Sequence, residues 1–208
     1  MTEIVLIRHG ETEYNRAGIF RGRVDVPLND RGREQALRVA AAVAAAPIDA
    51  VYSGPLTRAV ETALPVARAH GLAPVVDSAF DNIDLGRWQG VRKADVERSE
   101  PDLWRLWVED PDALRIPGGE TLEAVGRRAH TRALELVRGH EGQRIAIVSH
   151  RSVLKLLTGR LLGMTTGYFW KLYLDNAAYS ILDWNGTEFV LIKWNESCHL
   201  TERVVEQR

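Results

Sequence analysis

Residues 3–12 read Glu3-Ile4-Val5-Leu6-Ile7-Arg8-His9-Gly10-Glu11-Thr12, and this stretch decides the fold. Ile4 to Ile7 form an aliphatic run without alternation, which is typical of a central parallel strand buried on both faces. Arg8 and His9 follow at the point where such a strand ends. Because a parallel sheet needs helices on both faces, the stretch predicts an α/β protein with functional groups after the strands.

The rest of the chain continues the alternation of strands and helices. Short strand patterns fall at 50–53, 75–76 and 144–149. Two β-rich runs, 177–184 and 187–194, are joined by Asn185-Gly186, a strong hairpin signal. The predicted architecture is a three-layer sandwich, with a mostly parallel sheet, an antiparallel edge hairpin and one domain over residues 1–208.

Five helices are predicted between these strands. Asn29 is a candidate N-cap for the first helix, and Pro47 predicts that this helix ends before residue 47. In the third, Trp104 and Trp107 share one face, a pattern more typical of core packing than of a substrate wall. The predicted helices cover residues 29–43, 56–69, 93–108, 121–138 and 152–162.

Charge and composition exclude several classes of protein. The 208 residues carry 27 Lys plus Arg against 28 Asp plus Glu, a net charge of −1, which argues against nucleic acid or membrane partners. Of those 27, four are lysines, so 23 are arginines, the side chain best suited to phosphate and carboxylate. Cys198 is the only cysteine, and the apolar run at 4–7 is too short for a signal peptide, so a cytoplasmic location is expected.

The residues that follow the strands form one predicted constellation. Arg8 and His9 follow the first strand, Arg58 lies shortly after the second, and His150 follows the strand at 144–149. A lone histidine there is more often a hydrogen-bonding residue than a catalyst. Two histidines and two arginines at equivalent positions instead predict an anion site, because guanidinium groups repel a metal ion.

Six ordered pieces of the sequence resemble the histidine phosphatase superfamily, also called phosphoglycerate mutase-like. Three late segments, 107–111, 175–180 and 195–200, are most similar to the metal-independent phosphoserine phosphatases. The pieces begin with Arg8-His9-Gly10-Glu11-Thr12 with Asn15, and with Tyr52-Ser53 followed by Arg58. The others are Pro27-Leu28 with Gln35, Gly86-Arg87-Trp88-Gln89-Gly90, Pro117-Gly118-Gly119-Glu120-Thr121 and Val148-Ser149-His150.

The resemblance implies a phosphomonoesterase that needs no cofactor and no metal. His9 would be the nucleophile and form a phosphohistidine, with Arg8, Asn15, Arg58 and His150 binding the phosphate. A neutral imidazole is a competent nucleophile near neutral pH, and arginines can neutralise the transferring phosphoryl group. The expected substrate is a small phosphorylated metabolite such as phosphoserine, and a homodimer is expected.

The sequence departs from the family at the residue that usually transfers a proton to the leaving group and from water. The family usually has a carboxylate at the position of Asn82, and an amide cannot transfer protons. Asp84 or its neighbour Asp81 could have taken the role, or the enzyme could act on esters with good leaving groups. A third alternative is a weakly active or inactive protein that binds phosphorylated ligands. Phosphoglycerate mutase activity is a fourth.

Two further positions are substrate-side candidates. Arg21-Gly22 lies where the family usually has Gln-Gly, and Arg21 is equally well interpreted as a substrate contact or as a surface loop residue. Arg151 follows His150 where the family usually has glycine. It is either a further anion contact or a solvated arginine at a helix start, and both interpretations remain open.

Overall fold

The structure, a computed structural model, describes residues 1–200, so the last eight residues of the predicted 1–208 domain lie outside the described part. The strands are β1 (Thr2–Arg8), β2 (Ala50–Ser53), β3 (Val75–Val76), β4 (Arg144–Ser149), β5 (Tyr179–Trp184) and β6 (Phe189–Glu196). The helices are α1 (Glu13–Arg16), α2 (Asp30–Val43), α3 (Thr57–Arg68), α4 (Lys93–Ser99), α5 (Pro101–Glu109), α6 (Leu122–Gly139) and α7 (Arg151–Leu161).

The six strands form one sheet in the order β3-β2-β4-β1-β5-β6. β1, β2, β3 and β4 are parallel, whereas β5 runs antiparallel to β1 and β6 antiparallel to β5. The predicted mostly parallel sheet with an antiparallel edge hairpin is therefore confirmed.

Alternate residues of β1 belong to two different cores. Ile4 and Leu6 pack in a core with residues of α6 and α7, whereas Val5 and Ile7 pack with residues of α2 and α3. All four side chains are at most 1% exposed. This two-sided burial explains the aliphatic run without alternation and gives the predicted three layers.

Local signals set the helix starts that the sequence predicts. The Asn29 side chain accepts a hydrogen bond from the Gly32 amide at 2.8 Å, so the predicted N-cap is confirmed. Thr121 caps α6 in the same way through the Ala124 amide at 3.1 Å. Each cap satisfies one of the backbone donors that a helix start leaves open.

The single helix predicted at 93–108 is wrong. The structure divides this segment into α4 and α5 at Glu100, whose backbone lies at φ −135° and ψ 57°, outside the helical region. Pro101 causes the break, because a proline disfavours helical geometry in the residue before it and suits the first position of a new helix. The Glu100 carboxylate then accepts a hydrogen bond from Trp88 Nε1 at 3.2 Å, which anchors the break.

The carboxyl ends of three parallel strands lie side by side. Arg8 of β1 pairs with Ser149 of β4, and Ser53 of β2 pairs with Val148. The His9 amide continues this pattern by donating to the Ser149 carbonyl at 2.9 Å. His9 and His150 therefore leave the sheet next to each other, at the edge where α/β proteins bind ligands.

Candidate active site

His9 is held in one tautomer at the end of β1. Its Nδ1 lies 2.6 Å from the Gly10 carbonyl oxygen, so Nδ1 carries the proton and Nε2 carries the lone pair. Burial lowers the pKa of His9 well below its ordinary value, and Arg58, Arg8 and Arg21 lower it further. The ring is therefore neutral near neutral pH, which is the nucleophilic form.

His150 faces His9 from the start of α7. The two ring centroids are 5.1 Å apart, and the planes are tilted by 59°. Neither ring nitrogen of His150 has a hydrogen-bond partner within the described structure, although the side chain is buried. Burial, followed by the charge of Arg58, lowers the pKa of His150 well below its usual range. A buried donor without a partner is costly unless a ligand occupies it.

Arg8 and Arg58 are buried beside the two histidines. The Arg8 Nη1 donates to the Leu174 carbonyl at 2.7 Å. Arg58 donates to the carbonyls of Val24 and Gly22, each at 2.8 Å. Burial and the neighbouring Arg21 lower the pKa of Arg58 to about 9, so this guanidinium keeps its charge near neutral pH. These backbone carbonyls orient the two guanidinium groups, and one phosphate can accept hydrogen bonds from both.

Asn15 is buried in the short helix after His9. Its Oδ1 accepts hydrogen bonds from the Thr12 amide at 3.0 Å and from the Thr12 hydroxyl at 2.8 Å. This reciprocal capping box fixes the orientation of the amide group. Asn15 thus lies in α1, directly after the loop that carries His9, and does not line the cleft above the two histidines.

A cleft opens above the two histidines. Six of the predicted catalytic and substrate-side residues line this cleft, namely His9, His150, Arg21, Gly22, Asn82 and Arg151. Arg8, Arg58 and Asp84 do not line it. The lining residues are His9, Ile19, Phe20, Arg21, Gly22, Asn82, Ile83, Leu85, Lys93, Trp107, His150, Arg151 and Ser152. The structure thus brings His9, His150, Arg21, Gly22, Asn82 and Arg151 together.

Asn82 is fixed on the wall of the cleft. Its Nδ2 donates to the Gly22 carbonyl at 2.7 Å, and this carbonyl also accepts from Arg58. The Asn82 backbone carbonyl accepts from Arg23 at 3.3 Å and from Arg128 at 3.0 Å. Asn82 therefore occupies the position that the resemblance implies, with an amide where an acid is expected.

The two nearby aspartates are turned to other partners. Asp84 accepts a hydrogen bond from the Gly86 amide at 2.8 Å, and its second oxygen lies 3.9 Å from Arg23. Asp81 accepts from the Asn82 amide at 2.7 Å and pairs with Arg23 at 3.2 Å. Burial raises the pKa of Asp81, and Arg23 opposes that shift. Neither aspartate lines the cleft, so the structure does not bring Asp84 to the reacting atoms.

Two residues that line the cleft are not among the predicted site residues. Lys93 lies in α4 and no motif marks it, whereas Trp107 of α5 lies in a segment that resembles the family and its helical spacing favoured core packing. The Asn176 Nδ2 donates to the carbonyls of His9 at 3.1 Å and Gly10 at 3.3 Å, and thereby holds the loop that carries His9. Asn176 stands in a segment that resembles the family, which was the available signal. Trp107, by contrast, serves both the core and the cleft.

Residues 1–200 contain neither a cluster of metal ligands nor a helix suited to span a membrane. The described residues contain no group of three or more His, Cys, Asp or Glu side chains placed to hold a metal ion. No helix in that part of the chain is long and apolar enough to cross a membrane.

Comparisons with known proteins show the family of this chain. The family described as histidine phosphatase superfamily (branch 1) matches residues 4–197, and the chain belongs to this family. This result confirms the resemblance and identifies the chain as a phosphatase by class. Phosphoserine phosphatase 1 of Hydrogenobacter thermophilus is 34% identical over 206 residues, 99% of this chain and 98% of the relative. The metal-independent phosphoserine phosphatase of Arabidopsis thaliana is 29% identical over 97% of this chain and 84% of its own.

Solved structures share the fold closely. Bacillus stearothermophilus YhfR superposes with a TM-score of 0.90 at 29% identity, covering 96% of this chain and 99% of the other. The phosphoserine phosphatase of Entamoeba histolytica, solved in complex with 3-phosphoglyceric acid, gives a TM-score of 0.87 at 27% identity, covering 96% and 100%. The predicted phosphoglycerate mutase-like architecture is confirmed.

Proposed function

We propose that this protein is a cofactor-independent phosphomonoesterase that hydrolyses a small phosphorylated metabolite, such as phosphoserine, through a phosphohistidine at His9. The observation that carries the proposal is the state of His9. Its Nδ1–H donates to the Gly10 carbonyl, and its Nε2 carries no proton. The buried guanidinium groups of Arg8 and Arg58 lie beside it. A phosphate dianion fits this positive, buried site.

The reaction proceeds in two transfers. In the first, Nε2 of His9 forms a bond to phosphorus while the bond to the leaving oxygen breaks, and that oxygen takes a proton from solvent and leaves as an alcohol. In the second, water attacks phosphorus and the P–N bond breaks, one proton of that water passes to solvent, and phosphate leaves. Arg8, Arg58, the His150 N–H and the Asn15 amide stabilise the charge on the phosphoryl oxygens.

The proton transfers lack the usual carboxylic acid. Asn82 holds that position, and none of the described residues that line the cleft is Asp or Glu. General acid–base help is typically worth about 10²–10⁴-fold, so esters with good leaving groups should react best. The same observation supports the second candidate, a weakly active or inactive protein that binds phosphorylated ligands.

Phosphate release from a panel of phosphomonoesters, measured with a metal chelator present, tests the proposal. The expected result is turnover that survives the chelator and disappears in His9→Gln. Binding without turnover would favour the ligand-binding candidate. Isomerisation of phosphoglycerates faster than phosphate release would instead establish a mutase.

The expected homodimer and location stay predictions. Support for the dimer comes from the edge strand β6, where Val190 and Ile192 are 44% and 51% exposed. An exposed strand edge with apolar side chains is suited to pairing with another chain. Light scattering on wild type and Ile192→Lys tests it, and a monomeric wild type would refute it. The cytoplasmic location rests on the single cysteine and is tested by fractionation.

A further inference from the structure

The peptide unit between Gly22 and Arg23 is held by side chains at both of its edges. On one edge, the Gly22 carbonyl oxygen accepts hydrogen bonds from Arg58 Nη2 at 2.8 Å and from Asn82 Nδ2 at 2.7 Å. On the other edge, the Arg23 N–H donates to the Gln89 side-chain oxygen Oε1 at 2.5 Å. Because a trans peptide is planar and its C=O and N–H point in opposite directions, a bond at one edge helps to fix the direction of the other.

Gly22 leaves the direction of this peptide to be set by its neighbours. Its φ is +49°, in the left-handed region that favours glycine. A Cβ at position 22 would lie 2.2 Å from Gln89 Oε1, so the Gln89 side chain lies directly against the α-carbon. Because glycine restricts its backbone dihedral angles less than other residues do, the hydrogen-bond partners of the peptide set the direction of its carbonyl.

Gln89 reaches this peptide because its segment pairs with the loop that carries Gly22. The Phe20 amide donates to the Val91 carbonyl at 2.9 Å, and the Gly90 amide donates to the Phe20 carbonyl at 2.8 Å. Gln89 is half-buried at this contact and is not among the described residues that line the cleft. Its effect on the site therefore passes through the peptide that it holds.

The Gly22 carbonyl connects Gln89 to two groups of the proposed site. Arg58 is the buried guanidinium that would bind the phosphoryl oxygens, and Asn82 lies on the cleft wall. Both donate to this one oxygen, so a displaced carbonyl changes the orientation of both side chains. A displacement of about 1 Å in a group that positions the substrate can cost about 10²-fold in rate.

We propose that Gln89 is a positioning residue, which holds the peptide between Gly22 and Arg23 in place. Through the carbonyl of this peptide, it orients the guanidinium of Arg58 and the side-chain amide of Asn82. The inference rests on the proposed function and adds to it a residue that does not touch the substrate. Glutamine suits this task because its amide oxygen accepts the backbone N–H, whereas an aliphatic side chain of similar size offers no acceptor.

Two variants at position 89 test the hydrogen bond itself. Gln89→Leu has a similar size without an acceptor, and it should lower kcat/KM for p-nitrophenyl phosphate about tenfold or more. Gln89→Glu keeps an acceptor oxygen and should restore most of that loss. Wild-type kcat/KM in Gln89→Leu would overturn the proposal.

Gln143→Leu is the matched control for these variants. Gln143 is exposed and lies outside the cleft lining, and its Oε1 is 2.5 Å from His140 Nδ1. This substitution therefore removes a glutamine acceptor that has no link to the Gly22 carbonyl, and it should leave kcat/KM unchanged.

A double-mutant cycle tests whether Gln89 acts through Arg58. Arg58→Gln removes the guanidinium that the Gly22 carbonyl orients, so adding Gln89→Leu should lower kcat/KM there by less than about threefold. The smaller effect is the signature of positioning, because damage to the loop alone would reduce the rate equally in both backgrounds. A full tenfold loss in the Arg58→Gln background would overturn the proposal, and thermal unfolding of each variant confirms that it is folded.

Calorimetry with inorganic phosphate separates this inference from the proposed function, because binding needs no turnover. Gln89→Leu should bind phosphate about fivefold or more weakly than wild type, and Gln143→Leu should bind it as tightly as wild type. A protein that shows this difference but hydrolyses no ester would refute the proposed function alone. Equal phosphate affinities of wild type and Gln89→Leu would refute the positioning role alone.

Discussion

The imidazole ring of His9 lies 5.1 Å from that of His150, centroid to centroid, and both rings are buried and neutral. Two cations, Arg8 and Arg58, lie beside the pair. Burial and the two nearby positive charges disfavour protonation of either ring, and the same charges favour binding of a phosphate dianion.

The first prediction concerns stability and pH. An unfolded histidine takes up a proton below about pH 6.5, whereas folded His9 and His150 resist protonation until a lower pH. The unfolded state therefore binds more protons in that window, and the free energy of unfolding falls as the pH drops. Each histidine contributes at most about 1.4 kcal/mol per pH unit. Denaturant titrations between about pH 7 and pH 5 measure this slope.

The matched variants His9→Gln and His150→Gln remove one titrating group each. Each should make the loss of unfolding free energy with falling pH less steep than in wild type. A double variant that loses stability as steeply as wild type would show that other groups titrate instead.

A second prediction concerns the missing acid. Asn82→Glu places a carboxyl group on the cleft wall and should raise turnover of alkyl phosphates about tenfold or more, the lower part of the range for general acid catalysis. Asn82→Gln has the same size without the acid and should not raise it. If Asn82→Glu lowers the rate of an enzyme that is already efficient, another group holds the acid role.

The leaving group gives a third prediction. Without an acid, the leaving oxygen departs with little protonation, so kcat/KM should rise steeply as the leaving group becomes more acidic across a series of aryl and alkyl phosphates. Asn82→Glu should flatten that dependence. A flat dependence in wild type would indicate that a proton is already delivered, for example by His150 or by ordered water.

Arg58 supports a fourth prediction. Arg58→Lys keeps a charge but loses the forked donors, and Arg58→Gln loses both, so kcat/KM should fall in that order, by about 10²-fold or more for Gln. Arg127→Gln, an exposed arginine of α6, is the control for a simple change of net charge. Thermal unfolding must accompany the kinetics, because Arg58 also donates to the Gly22 and Val24 carbonyls. Equal rates in wild type and Arg58→Gln would remove Arg58 from the site.

The sequence was informative where local signals decide the structure. The aliphatic run of β1 and the Asn29 cap depend on neighbours in the chain, and both are present as predicted. The hairpin signalled by Asn185-Gly186 is present too, but its loop covers residues 185–188 and is longer than the predicted two-residue turn. The helix at 93–108 failed because the pattern of its apolar residues was given more weight than Pro101. The proline effect on Glu100 is local and was available in the sequence.

The candidate site also contains some residues that the sequence predicts and others that depend on tertiary packing. His9 and His150 could be predicted because parallel strands bring their carboxyl ends to one edge of the sheet. Lys93 reaches the cleft only through the packing of α4, which no spacing along the chain encodes. For Trp107 the helical spacing favoured core packing, and the structure places it both in the core and at the cleft. The partners of Asp84 could not be foreseen either, since Arg23 and Gly86 are fixed by loop geometry.

The most direct test of the account is to trap the phosphoenzyme. Protein mixed with a phosphate-labelled ester, stopped by rapid denaturation in alkali, should carry label that is released by brief acid treatment, as expected for a phosphohistidine. His9→Gln should carry none, whereas Asn82→Gln should still be labelled. Absence of acid-labile label on wild type during turnover, or equal label on His9→Gln, would contradict the account.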